Sequence, residues 1–193
     1  MKKHLDLGCG ANPRNPYNHD DLYGIDIVDR HKMELNFNYV SANVILEGLP
    51  FEDNYFDSLS AYDFLEHVPR ILNIKGNVEF PFINLMNEVF RVLKPGGRFY
   101  CITPFYPKMS AFVDPTHVNV ITSKTHRYFT YPHNWASMYG FTGSFSVIRA
   151  QAVNFNLETN ARIGLLKRSV YSLISILYAP YKQHFLWELR AKK

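Results

Sequence analysis

The sequence is short of three things, and each shortage narrows what the chain can be. Cysteine is scarce. Its two residues, Cys9 and Cys101 in a chain of 193, have no metal-ligand spacing between them. They read as reduced small core residues of a cytosolic protein, and the expected location is the cytoplasm. Long basic runs are absent too. No five consecutive residues are Lys or Arg, and the formal charge is only +4, so a nucleic-acid footprint has little support. That balance suits an anionic or nucleotide-like ligand as well as an ordinary basic surface. Nor is there a clean apolar stretch for a bilayer. The nearest, IGLLKRSVYSLISILYAP at 163–180, is broken by Lys167 and Arg168 and reads as a buried or half-buried amphipathic helix. Peripheral contact through it is the one membrane reading left open. At the N-terminus Lys2 and Lys3 are basic, but Asp6 interrupts the apolar region a signal peptide needs.

What is present is an ordinary globular composition, 47% hydrophobic and 20% charged, with no internal repeat; one domain over residues 1–193 is expected. Apolar segments suited to strands fall at His4–Leu7, Leu22–Ile27, Asn43–Leu46, Phe56–Ala61 and Arg98–Thr103. A helical stretch is expected from Phe64. Another over Glu79–Leu93 places Phe82, Leu85, Met86, Val89, Phe90 and Leu93 at helical spacing, with Pro81 in its first turn and Lys94-Pro95-Gly96-Gly97 as its stop. Residues 104–135 depart from this rhythm, being rich in Pro, Tyr, Phe, His and Thr, with one short helix expected around Ser123–Phe129. Two last strands, Ser144–Val153 and His184–Arg190, flank a helix expected over 163–179. Strands alternating with helices argue for right-handed crossovers and a parallel sheet, an α/β fold.

In such a sheet ligands sit beyond the carboxyl ends of the strands. There the sequence places Gly8 and Gly10 after the first strand, Asp26 after the second, Glu47, Gly48 and Leu49 after the third, and Ala61, Tyr62 and Asp63 after the fourth. Glycines let a ligand approach the backbone, and an acid after strand two can accept from ribose hydroxyls. A dinucleotide needs a third glycine and a helix under its pyrophosphate. Here Pro13 stands at the third position, and twelve residues separate Gly10 from Tyr23. That spacing points away from NAD.

Three stretches in order, LDLGCG at 5–10, LPFEDNYFDSLSAYDFLEHV at 49–68 and EVFRVLKPGGRFYCITP at 88–104, give the chain its resemblance to the class I S-adenosylmethionine-dependent methyltransferases, most closely the methyltransferase type 11 subgroup. The resemblance implies a Rossmann-like, doubly wound, three-layer α/β/α fold. Its sheet has seven mostly parallel strands and an antiparallel last strand. It implies S-adenosyl-L-methionine as cofactor and S-adenosyl-L-homocysteine as product. Asp6, Gly8 and Gly10 would face the methionine part, Asp26 would hold the ribose, and Ala61 and Tyr62 would flank the transferred methyl. The adenine position falls to Glu47 with Leu49 beside it, Asn43 being the other match, while Phe51 and Phe56 are expected in the core. Two departures stand out: almost nothing precedes the first strand, and the first crossover is short. Both imply an open cofactor site unless residues 104–135 act as a substrate-side lid.

Methyl transfer needs little acid–base chemistry, because the main task is to hold the nucleophile in line with the S–CH3 bond. A base helps a hydroxyl acceptor. The stretch AFVDPTHVNVIT offers Asp114 and His117, and a DPTH segment recurs in related bacterial methyltransferases. His117 is therefore the candidate base, with Asp114 beside it. Against that, Asp-Pro-Thr favours a turn that Asp114 would cap, with His117 satisfying a backbone group. His117, His126 and His133 match no metal-ligand spacing, so no metal is expected. His67 reads as structural. Tyr106, Phe112, Tyr128, Phe129, Tyr131 and Trp135 are either an apolar or sugar-stacking substrate wall or the packing of a lid. The leading expectation is a methyltransferase acting at O or N of a small molecule such as a sugar, a surface-polysaccharide precursor or a secondary-metabolite intermediate. A tRNA-base methyltransferase and a non-catalytic cofactor-binding regulatory module are the alternatives, and the sequence leaves the oligomeric state open.

Overall fold

The computed structural model describes residues 1–29, 34–159 and 182–193. In chain order its strands are Lys3–Leu7 (β1), Asp21–Asp26 (β2), Asn38–Ser41 (β3), Phe56–Tyr62 (β4), Leu72–Ile74 (β5), Asn77–Glu79 (β6), Leu93–Pro104 (β7), Phe145–Val153 (β8) and His184–Ala191 (β9), with helices Pro81–Val92 (α1) and Phe155–Thr159 (α2). Seven strands form one sheet in the order β3-β2-β1-β4-β7-β9-β8, and β5 and β6 pair as a separate hairpin. The first five strands of that sheet run parallel. β9 is antiparallel to both of its neighbours. This is the Rossmann-like methyltransferase arrangement that the sequence implied.

Period-two alternation sorts the side chains by face. Leu5, Leu7, Leu59, Ala61, Phe99, Cys101, Trp187 and Leu189 point to one face, where Phe82, Leu85, Met86, Val89 and Val92 of α1 cover them. Tyr62, Tyr100, Ile102 and Leu186 point to the other, against Val153, Tyr17 and Phe155. Both cysteines are buried, and neither forms a disulfide. The helix expected over 163–179 lies outside the described residues. Among the described residues no helix is long and apolar enough to cross a membrane.

On the second face the short β1–β2 crossover replaces a helix with a loop, and a loop cannot satisfy its own backbone. The sheet meets that need with a buried polar row. His4 Nδ1 lies 2.7 Å from Ser58 Oγ and its Nε2 2.8 Å from Ser60 Oγ. Ser60 Oγ donates to Asp6 Oδ1 at 2.5 Å, and Arg14 N, from the loop, donates to Asp6 Oδ2 at 2.8 Å. Tyr17 OH crosses to Glu188 on β9 at 3.1 Å.

Three local expectations need correction. The third strand is Asn38–Ser41, not Asn43–Leu46. Asn43 Oδ1 accepts from Ile45 N at 3.2 Å and Asn43 O accepts from Leu46 N and Glu47 N, so this Asn starts a turn by competing with the sheet for its own backbone. The helix expected from Phe64 is a single tight turn, Leu65–His67, after which Val68 is extended (ψ 121°), as the residue before Pro69 must be. Lys94–Gly97 does not separate helix from strand: β7 begins at Leu93 and absorbs these residues as an irregularity opposite Phe56 and Ser58.

Candidate functional site

The parallel strands β1, β2, β3 and β4 end on one edge, and the loops after them meet there. Gly8 N and Cys9 N donate to Ile25 O at 2.9 and 3.2 Å, which draws the glycine turn onto β2. Gly8 has φ +65°, and a Cβ there would stand 2.6 Å from Phe64 Cδ2, so both backbone and packing require glycine. Gly10 has φ +57° and nothing within 4 Å of its Cβ position. Open space faces it. Asp26 joins the two loops, its Oδ2 accepting from Gly10 N at 2.9 Å and its Oδ1 from Val28 N at 3.0 Å. A carboxylate has about four acceptor positions, so both oxygens keep a lone pair for a ligand. Beyond it Ile27, 67% exposed, and Val28 offer apolar surface.

Other expected site residues fall differently. Asp6 is 2% exposed with both oxygens engaged by Ser60 and Arg14, and burial pushes its pKa up to about 7. It shapes the turn from beneath instead of facing the open space. Ala61 is wholly buried among the core residues at the end of β4, and Tyr62 lies on the opposite face, under the Arg14 guanidinium at 4.6 Å. Leu49 is a core residue tied to α1: its N donates to Glu88 Oε2 at 2.9 Å and its O accepts from Arg91 Nη2 at 2.8 Å. Glu47 is exposed in the turn after Asn43. With β3 ending at Ser41, Asn43 lies two residues past the strand and Glu47 six. Arg14 and Phe64 were not singled out from the sequence. Nothing in their spacing marks them, because each acts across the fold.

Beside this edge lies a second group of polar residues, at the ends of β4 and β7. Glu66 sits on the turn after β4 and is 1% exposed. Its Oε2 accepts from Thr103 Oγ1 at 2.9 Å, Oε1 has no hydrogen-bond partner among the described residues, and burial pushes its pKa up to about 7. His117 Nε2 lies 3.9 Å from that Oε1 and 4.0 Å from Asp114 Oδ2. Asp114 caps its own turn, with Oδ1 accepting from Thr116 N at 2.8 Å and Thr116 Oγ1 at 2.6 Å. Those bonds hold its carboxyl below the usual range. His67 reaches the same turn, its Nδ1 3.0 Å from Thr116 Oγ1, and its ring packs edge-on against His117. His126 packs on Phe185 and Trp187, and His133 on Trp135. Next to the cluster, Asn119 N donates to Glu66 O at 2.9 Å. Asn119 also lines a mainly apolar cavity of about 660 Å³ whose walls include Phe82, Tyr128, Phe129 and Trp135.

The fold and the loop edge together define a Rossmann-like α/β protein whose glycine turn and Asp26 carboxylate meet at the ends of the parallel strands. A family model described as "Methyltransferase domain" matches residues 5–101, half of the chain. The chain belongs to this family, the class I S-adenosylmethionine-dependent methyltransferases. Its sequence is similar to the ubiquinone/menaquinone biosynthesis C-methyltransferase UbiE of Brucella canis, 40% identical over 67 residues, 35% of this chain and 20% of that protein. It is also similar to sterol 24-C-methyltransferase erg6 of Schizosaccharomyces pombe, 32% identical over 108 residues, 49% of this chain and 26% of that protein. The chain thus matches about a quarter or less of the length of these curated relatives. Its fold is similar to that of phosphoethanolamine N-methyltransferase 2 of Haemonchus contortus, solved with S-adenosyl-L-methionine, at TM-score 0.56 and 16% identity, covering 100% of this chain and 48% of that one. The family implies S-adenosylmethionine as cofactor. The residues present fit it: there is room before Gly10, acceptor capacity on Asp26, and apolar surface at Ile27 and Val28 for a base.

Proposed function

We propose that the protein transfers a methyl group from S-adenosylmethionine to a small-molecule acceptor at oxygen or nitrogen, a sugar, surface-polysaccharide precursor or secondary-metabolite intermediate being the acceptor class favoured. The observation that carries this reading is Asp26, which ties the glycine turn to β2 and keeps acceptor positions toward the open space before Gly10. Asp26 would take the ribose hydroxyls, Gly8 and Gly10 would leave room for the methionine tail, and Asn43 would lie near the adenine. Bound there, the cofactor supplies an electrophilic methyl carbon on a sulfonium. The chain's part is to hold the acceptor in line with it and keep water away. Residues 104–135 serve as the acceptor-side cover, supported by Phe129, Tyr128 and Trp135 on the cavity wall. His117, with Asp114 beside it, would take the proton of an acceptor hydroxyl.

Two measurements test this. Asp26→Ala is expected to weaken S-adenosylhomocysteine binding about 10- to 100-fold in calorimetry, since hydrogen bonds to a charged group contribute roughly 1.5–3 kcal/mol; unchanged affinity removes the ribose assignment. A methyl-transfer screen with labelled cofactor over pooled sugars, phenols, amines and tRNA then identifies the acceptor. Label in tRNA favours the base-methylating alternative. Cofactor binding with no label in any pool favours a non-catalytic module.

A further inference from the structure

We infer that Glu66, His67 and His117 form a binding site for a divalent ion of the zinc class, at the acceptor side of the sheet edge. Each of the three offers a ligand atom, and these atoms lie within 4.8 Å of one another. Two of them are adjacent in sequence. The third arrives from residue 117 because the Asp114–Thr116 turn folds back onto the Leu65–His67 turn. No local spacing encodes the group, so the spacing of His117, His126 and His133, which gave the expectation of no metal, carries no trace of it.

The strongest indication is Glu66 Oε1. This oxygen belongs to a side chain that is 2% exposed, and it has no hydrogen-bond partner among the described residues. A buried acceptor without a partner is costly. The group facing it is His117 Nε2, and 3.9 Å is too long for a hydrogen bond. The other ring nitrogen, Nδ1, lies 3.3 Å from Ala111 O. A proton on Nδ1 donated to that carbonyl leaves the Nε2 lone pair aimed at Glu66, and carbonyl partners orient metal-binding imidazoles in this way. Thr103 Oγ1 holds the second Glu66 oxygen, while Thr116 steadies His67 through its Nδ1.

The donor set decides the ion. Two imidazoles and one carboxylate suit zinc and its transition-metal neighbours, whereas magnesium and calcium favour all-oxygen shells. Bonds near 2.1 Å put two donors about 3.4 Å apart in a tetrahedral site. The 3.9 Å Glu66–His117 separation therefore closes with about 0.5 Å of side-chain movement, and a pair at the group's 4.8 Å limit with about 1.4 Å. Three protein ligands leave a coordination position open, the pattern of catalytic rather than structural sites. Under the methyl-transfer reading, an ion here would bind an acceptor hydroxyl and lower its proton affinity, with the proton leaving to solvent. That role rests on the proposed function; ion binding itself does not.

The test is Zn²⁺ titration of the metal-stripped protein by calorimetry without cofactor, with Co²⁺ absorption as a second readout. One ion per chain is expected, with a visible Co²⁺ band and no saturable response to Mg²⁺. Glu66→Gln and His117→Ala should each weaken Zn²⁺ at least about 100-fold, and His67→Ala about 10-fold, effects at or above those of outer-shell changes. The exposed ring of His67 makes His67→Ala usable even if Glu66→Gln unfolds. Absence of saturable Zn²⁺ binding, or binding that persists unchanged in His67→Ala and His117→Ala, overturns the inference. Neither result touches the cofactor reading, which S-adenosylhomocysteine binding tests separately.

Discussion

Gly8→Ala is expected to destabilise the protein by about 2–5 kcal/mol in urea denaturation, the sum of two separable causes. The backbone at φ +65° costs an L-residue roughly 1–2 kcal/mol. The new Cβ, 2.6 Å from Phe64 Cδ2, adds the roughly 1–3 kcal/mol typical of overpacking. A Gly8→Ala/Phe64→Ala double-mutant cycle should recover the second cost and leave the first, so a coupling near zero would refute the Phe64 contact. Gly10→Ala provides the contrast. Its Cβ meets no atom of the described residues, so stability should fall only by the backbone cost, while under the proposed function cofactor affinity falls further because the methyl would enter the ligand's space.

The second large effect concerns the buried row beneath the turn. Burial raises Asp6 from 3.8 to about 7 and lowers His4 from 6.5 to about 3. Asp6 holds its proton more tightly when folded, so its contribution is full below about pH 4 and is lost as pH rises through about 7. His4 binds a proton less tightly when folded. Its contribution is full above pH 6.5 and is lost as pH falls toward about 3. Each shift is worth on the order of 4 kcal/mol, and between about pH 4 and 6.5 the two slopes oppose one another. The pair should therefore add little pH dependence to the native protein in that range. Asp6→Asn leaves the His4 slope alone and should make the protein lose stability as pH is lowered from 6.5. His4→Gln leaves the Asp6 slope and should make it lose stability as pH is raised from 4 to 7. Urea midpoints at pH 4, 5.5 and 7 decide the matter: parallel profiles for the two variants would show that burial does not shift Asp6 and His4 in opposite directions.

The strand ends and the glycine turn were largely legible because their signals are local. LDLGCG puts a strand and a glycine turn side by side, and Asp26 ends a strand of apolar character. The third strand was not legible: NVIL has strand composition, but Asn43 closes a turn on its own backbone. The stop at Pro69 was legible in principle, since a helix begun at Phe64 had no room to run. Asp6 shows the reverse case. Its motif position points to a ligand, yet the loop that replaces a helix claims both oxygens for Arg14 and Ser60. The Glu66–His117 approach depends on two turns 51 positions apart in sequence, and only the folded chain brings them together.

The account stands on an S-adenosyl cofactor at the Gly8–Gly10–Asp26 edge. Thermal unfolding with added S-adenosylhomocysteine tests it most directly. A ligand selective for the native state adds about 2.7 kcal/mol of stability at 100 times its Kd. The melting temperature should therefore climb steadily with S-adenosylhomocysteine and stay fixed with NAD. A melting temperature indifferent to S-adenosylhomocysteine at millimolar concentration, or raised by NAD instead, would contradict the account.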